Sequence, residues 1–260
     1  MPQVSSATAA PLSSRIAIFI DFDGTLVNLA QTPDEIEVAA TLPASLERAA
    51  DRVDNALAVL TGREINIIDH YLAPLRLPVA GAHGSQRRRA DGTLELADPA
   101  SSEAARLIAQ RLEPLVAAHP RLLLEAKEGT VALHFRQAPA LEGACRAAME
   151  EAMRDVAGFA LLPGKMVFEA RPHGISKGTA LRAFMKEQPF AGRLPVFIGD
   201  DVTDEDGFIA AQDLGGVGIK VGQGETAAQM RIADVASVHA LLQGLGDRAG
   251  STAPGMLTTE

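Results

Sequence analysis

The sequence predicts an α/β fold: a doubly wound, Rossmann-like parallel sheet carrying an inserted α+β module. Three observations predict it. Short apolar, β-branched runs alternate with helical patterns in the first and last thirds of the chain. The middle third shows paired strand patterns meeting at Asp91-Gly92, Glu128-Gly129 and Pro163-Gly164, with helical stretches between the pairs. Nearly every strand of the outer thirds is followed at once by polar or acidic residues, as at the carboxyl edge of a parallel sheet, where ligands bind.

Taken in order, residues 1–14 are rich in Ser, Ala and Pro and read as a loose arm. Ile16–Ile20 is a buried strand. Pro43–Val53 is helical, with Leu46, Ala49, Ala50 and Val53 on one side. Ala56–Leu60 is the next strand, Glu64–Leu72 the next helix, and Val79–Ala80 a short strand. The insertion then spans residues 85–172. It runs hairpin (Ser85–Arg89 with Thr93–Leu96), helix (Ser101–Ala118), hairpin (Leu122–Lys127 with Thr130–Arg136), helix (Ala140–Val156), hairpin (Phe159–Leu162 with Lys165–Arg171). Core strands resume at Pro195–Ile198 and Val217–Val221. The core is thus 15–84 plus 173–248, and 249–260 is a loose tail.

Composition narrows the function. A chain of 260 residues, 47% hydrophobic and 22% charged, can fill a core. With 24 basic and 33 acidic residues the net charge is 24 − 33 = −9, which disfavours nucleic acid or an anionic membrane as partner. With no Trp and one Tyr, stacking platforms for bases are scarce. The first fourteen residues hold no Lys or Arg, and no apolar run approaches the roughly 20 residues that span a bilayer. Cys145 is alone and reads as a small buried hydrophobe. The expectation is a cytoplasmic protein acting on a small molecule, with no nucleic acid, membrane or obligate protein partner.

The residues after each core strand carry the chemistry. Ile16–Ile20 is followed by Asp21-Phe22-Asp23-Gly24-Thr25, Ala56–Leu60 by Thr61-Gly62-Arg63, and Val79–Ala80 by Gly81-Ala82-His83-Gly84. Pro195–Ile198 leads into Gly199-Asp200-Asp201-Val202-Thr203-Asp204. Asp21, Asp23, Asp200, Asp201 and Asp204 converge from two strands, and so many carboxylates repel each other unless a cation neutralises them. Oxygen ligands without Cys or His select a hard ion, and a small octahedral site that also takes a phosphate suits Mg²⁺. Lys177 stands at a helix start, against the dipole, where an anionic partner would explain it. In the insertion, strand alternation puts Glu125 with Lys127, His134 with Arg136, and Lys165 with Glu169 and Arg171 on one polar face. Such a face is either ordinary solvated sheet or a lid that hydrogen-bonds hydroxyls. Its mixed donors and acceptors suit a neutral sugar better than a base.

Asp-Phe-Asp-Gly-Thr-Leu-Val, Thr61, Lys177 and Gly199-Asp200-Asp201-x-x-Asp204 resemble, in order and spacing, the four signatures of the haloacid-dehalogenase superfamily. The strings around Glu125, Lys127, His134-Phe135-Arg136, Pro163-Gly164-Lys165, Glu169 and Ser176-Lys177-Gly178 resemble the trehalose-6-phosphate phosphatase family. The resemblance implies a haloacid-dehalogenase-type core with a cap, a Mg²⁺-dependent phosphatase, and trehalose 6-phosphate as substrate. Asp21 is then the nucleophile, and Asp23 a proton donor that must start protonated. Mg²⁺ is held by the Asp21 and Asp200 carboxylates and the Asp23 carbonyl, with Asp201 and Asp204 supporting. Thr61, Gly62 and Lys177 bind phosphate. Glu125, Lys127, Arg136, Lys165 and Glu169 contact the disaccharide; Arg63 and His83 are further substrate-binding candidates, although His83 reads equally as structural. Gln86 departs from the acid many relatives carry there. Another sugar phosphate, such as sucrose 6-phosphate or a hexose phosphate, and a non-catalytic sugar-phosphate sensor are the alternatives. Lid closure would hinge near Gly84 and Pro172–Gly174.

Overall fold

The computed structural model describes residues 15–30 and 35–247; the expected arm and tail lie outside the described residues, as do residues 31–34 and 248 of the expected core. An eight-stranded sheet forms the larger layer. Its strands are β1 (Ile16–Ile20), β2 (Leu57–Leu60), β3 (Val79–Gly81), β4 (Gln86–Arg88), β5 (Leu94–Glu95), β10 (Leu194–Gly199), β11 (Val217–Val221) and β12 (Met230–Ile232). Their order is β12-β11-β10-β1-β2-β3-β4-β5, parallel from β12 to β3. β1 lies at the centre because it is apolar on both faces, which only a strand covered on both sides tolerates. Phe19 stacks on Phe190, ring centroids 5.3 Å apart, and Phe184 joins them. Helices α1 (Leu42–Arg52), α2 (Ile65–Leu72), α5 (Lys177–Phe184), α6 (Glu205–Asp213) and α7 (Val235–Asp247) complete this body. α1 begins with Pro43 in its first turn and buries Leu42, Leu46, Ala49 and Ala50, the face its periodicity marks.

A second sheet, antiparallel and four-stranded, has the order β6-β7-β9-β8, from β6 (Leu123–Lys127), β7 (Thr130–His134), β8 (Phe159–Gly164) and β9 (Val167–Pro172). Helices α3 (Pro99–Ala118) and α4 (Glu142–Met153) cover one face of it, over Val131, Leu133, Phe135, Phe168 and Ala170. Cys145 sits inside that second core as a small hydrophobe. The sheet's other face turns toward the carboxyl edge of the large sheet.

Two expectations change, and one strand is unforeseen. The hairpin at residues 85–96 does not open the inserted module: β4 pairs antiparallel with β3, Val79 opposite Arg88, so the hairpin extends the large sheet. A hairpin's own pattern holds no information about whose edge it will join. The third turn falls at Lys165-Met166, not Pro163-Gly164, which sit within β8 opposite Phe168 and Val167. β8 is an edge strand, so Pro163 removes a donor that had no partner to lose. Met166 takes the left-handed conformation instead, at φ 65°. Finally, β12 is a three-residue edge strand whose pattern is too short to be read from sequence.

Candidate active site

The acids meet where β1 and β10, hydrogen-bonded neighbours, end together. Carboxylate oxygens of Asp21, Asp200 and Asp204 all lie within 4.8 Å of one another. Gly24 makes this possible: it holds φ 80°, and a methyl group there would overlap the Asp200 carboxylate. Lys177 enters from the first turn of α5, whose Ser176 caps the helix through a reciprocal bond with Thr179. Its ammonium, 2% exposed as a residue, bonds Asp21 Oδ1 at 2.7 Å and Asp204 Oδ1 at 2.6 Å. The cation against the dipole thus has two carboxylate partners. Burial would push the Lys177 ammonium down, but the charges of Asp204 and Asp21 outweigh it and hold it well above its ordinary value. Asp204 spends its other oxygen on the N–H groups of Asp200 and Asp201, both at 2.9 Å. With both oxygens engaged, Asp204 braces the loop.

Burial, then the Asp204 charge, pushes the Asp200 carboxyl up to about 7. Burial together with Asp204 and Asp200 raises Asp21 as well, against the pull of Lys177. Among the described residues, the buried Asp200 Oδ1 has no hydrogen-bond partner. An orphaned carboxylate oxygen facing a second raised carboxyl fits a small divalent cation between Asp21 and Asp200.

The β2 loop supplies the next wall. Thr61 is fully buried, and its Oγ1 accepts from the Arg63 N–H at 3.1 Å. Arg63 is laid over Phe22 and Tyr71 and grips Asp23 with two bonds of 2.7 Å. In this arrangement both Asp23 oxygens accept from the Arg63 guanidinium. Gly62 must be glycine because a methyl group would overlap the His83 ring. His83, at φ 59°, bonds Glu169 of the second sheet at 3.0 Å. Burial would raise Glu169, but the charge and hydrogen bond of His83 pull it far below its ordinary value. His83 is held at both ends: its main-chain N–H is tied to the Thr61 carbonyl, and its ring reaches the opposite sheet.

The polar face of the second sheet closes over these loops. One cleft is lined by Asp21, Asp23, Gly62, Arg63, His83, Lys177, Asp200 and Asp201 from below. Glu125, Lys127, Arg136, Lys165 and Glu169 line it from above. Lys127 Nζ donates to the Gly62 carbonyl at 2.9 Å, and Arg136 to the Lys165 carbonyl at 3.1 Å. Burial opposes ionisation of Glu125, yet the His134 hydrogen bond and the Lys127 charge bring it down to about 2. Gln86 accepts from the Ile65 N–H and donates to Glu128 at 3.2 Å, so its amide is a strut between the sheets.

A family model described as trehalose-phosphatase matches residues 19–236. The chain belongs to the trehalose-phosphatase family. It is 40% identical over 232 residues to a trehalose-6-phosphate phosphatase of Escherichia coli (strain K12), covering 89% of this chain and 87% of the relative. It is 42% identical over 208 residues to a probable trehalose-phosphate phosphatase of Sinorhizobium fredii, covering 79% and 77%. The crystal structure of a trehalose-6-phosphate phosphatase related protein superposes with a TM-score of 0.75 at 29% identity, over 88% of this chain and 96% of that one. This member of the family is a phosphatase, with the haloacid-dehalogenase fold and an added α+β layer.

The structure brings every residue expected at the site to the cleft or directly beneath it; Thr61 and Asp204 lie beneath. Residues missed as site members are His134, Arg121, Gln137 and Thr203, which line the cleft, and Lys220 below the Asp200 loop. His134 carried a signal, its alternation with Arg136. Lys220 carried none, being one cation in an apolar strand.

Proposed function

We propose that this trehalose-phosphatase family member hydrolyses trehalose 6-phosphate to trehalose and phosphate, with Mg²⁺ as cofactor and a phosphorylated Asp21 as intermediate. One observation carries the reading. The Asp21–Lys177–Asp200 cluster lies at the floor of a cleft roofed by a mixed polar face, in a chain that aligns with named relatives over most of its length. The Asp21 and Asp200 carboxylates and the Asp23 carbonyl would hold Mg²⁺, which would supply positive charge to offset that of the phosphoryl group. The residues do the rest. The Asp21 carboxylate attacks phosphorus while Lys177 draws charge off the transferring group. Thr61 and Gly62 shape the wall against which the phosphoryl oxygens rest. Asp23 protonates the departing sugar oxygen, then takes a proton from the water that cleaves the acyl phosphate.

Asp23 can do this only after Arg63 lets go of it. An anionic phosphoryl group entering beside Arg63 offers the guanidinium another partner, so arrival of substrate would free the Asp23 carboxylate to take up from solvent the proton it then donates. The second sheet serves as a lid, residues 99–172, that excludes water during transfer. Glu125, Lys127, Arg136, Lys165 and Glu169 read the disaccharide hydroxyls, and a cytoplasmic location accords with a reduced single cysteine. Among the described residues no helix is long and apolar enough to cross a membrane.

The test is phosphate release from a panel of sugar phosphates, with and without chelator. Trehalose 6-phosphate should be turned over best, only with Mg²⁺, and Asp21→Asn should abolish release while remaining folded. Faster turnover of sucrose 6-phosphate or a hexose phosphate would overturn the substrate, and activity in Asp21→Asn would overturn the nucleophile.

A further inference from the structure

Lys220 lies on β11 directly opposite Gly199, the last residue of β10, and is only 5% exposed. An ammonium taken out of water is costly unless something compensates it. Among the described residues it makes no ion pair; its hydrogen bond goes to the main-chain carbonyl oxygen of Asp200. That carbonyl belongs to the same peptide group as the Asp201 N–H, which Asp204 Oδ2 holds at 2.9 Å. The planar peptide is therefore gripped at both ends, by a carboxylate on one side and an ammonium on the other. The preceding peptide is fixed too, because the Asp200 N–H bonds the same Asp204 oxygen. With both flanking peptides fixed, φ and ψ of Asp200 are fixed, and so is the direction of its side chain. The carboxylate has little else to orient it, since its buried Oδ1 has no hydrogen bond among the described residues.

We propose that Lys220 is a positioning residue for the cation site: its bond to the Asp200 carbonyl aims the Asp200 carboxylate at Asp21. This rests on the reading of Asp200 as a Mg²⁺ ligand. The sign of the effect is informative. A lysine acting mainly through its charge would repel a cation bound nearby, and its removal would tighten binding. A lysine acting through its hydrogen bond helps, and its removal loosens binding. The rigid anchoring of Asp200 favours the second. Groups that orient metal ligands from outside typically contribute about 10–100-fold to affinity.

The experiment is calorimetric titration of Mg²⁺ into the full chain without substrate, for wild type, Lys220→Met and Lys220→Arg. Lys220→Met should bind Mg²⁺ about tenfold or more weakly. It should need correspondingly more Mg²⁺ for half-maximal phosphate release, while its KM for the sugar phosphate at saturating Mg²⁺ and its melting temperature in chelator stay near wild type. Lys220→Arg, which keeps a donor, should retain the wild-type affinity. Mg²⁺ binding by folded Lys220→Met that equals or exceeds the wild type overturns the proposal. Should Lys220→Met not fold, a crystal structure of the wild type with Mg²⁺ decides. Asp200 on the ion with the Lys220 bond intact supports the proposal, and that bond broken overturns it. A wild type that binds no Mg²⁺ would instead sink the proposed function, so the two failures are distinguishable.

Discussion

Asp23 and Arg63 show how far one side chain can depend on its neighbour. The motif places a carboxyl two residues beyond the nucleophile, but both of its oxygens are held by a guanidinium pressed on two aromatic rings. A proton donor matters only where the leaving group is a poor one. Asp23→Asn should therefore lower kcat on a sugar phosphate by about 10²–10⁴. It should do far less on para-nitrophenyl phosphate, whose phenolate leaves unaided. Equal losses on the two substrates would show that Asp23 acts on something other than the leaving oxygen. The same residue marks the edge of legibility. Asp23 could be picked out from the order of residues after an apolar strand, whereas its clamp joins positions 40 apart and follows from strand packing.

At the scale of elements, the site depends on short, exact turns. α5 is eight residues long, and its capping box sets where Lys177 emerges. Ser176→Ala removes the acceptor for the Thr179 N–H and should cost about 1 kcal/mol of stability. Because Lys177 is the next residue, kcat should fall with it, while a surface cap lost elsewhere, such as Asp98 at α3, should leave kcat unchanged; the pair of variants compared by melting and turnover checks this. Helices and buried strands were legible because their periodicity is long enough to be unambiguous; α1 starts and ends within a residue of its pattern. The hairpin at residues 85–96 and the turn at Lys165-Met166 were not, since the choice of sheet edge and the tolerance of Pro163 depend on what lies alongside.

At the scale of the molecule, two hydrophobic cores among the described residues support two layers, and the cleft between them gathers charge from both. Lys165→Ala at the lip of that cleft should weaken turnover of trehalose 6-phosphate much more than that of para-nitrophenyl phosphate; parallel losses would mean that the roof does not read the sugar. The crowding of carboxyls also shapes stability. In the ion-free protein Asp200 titrates near 7, above its ordinary 3.8, and Asp21 is raised in the same sense. A raised acid binds more protons folded than unfolded between those values, so its stabilisation is complete below about 4 and lost as pH rises through about 7. Glu125 works oppositely, being lost only as pH falls toward about 2, so it stays constant in this window. In chelator the melting temperature should therefore fall between pH 5 and 7.5, and Mg²⁺ should reverse the fall. A melting temperature that climbs over that range without Mg²⁺ would contradict the clustering.

What the sequence determined alone was the alternation of strand and helix, the acids following the apolar strands, and the polar side of β7 and β9, because each is written in consecutive residues. Tertiary structure decided which carboxylates face one another, that Asp204 braces while Asp200 is left open, that Arg63 holds Asp23, and that Lys220 reaches the Asp200 loop from beneath. Those outcomes depend on strand order and on atoms brought within hydrogen-bond distance from far apart in the chain, and neither quantity is encoded in any local stretch of it.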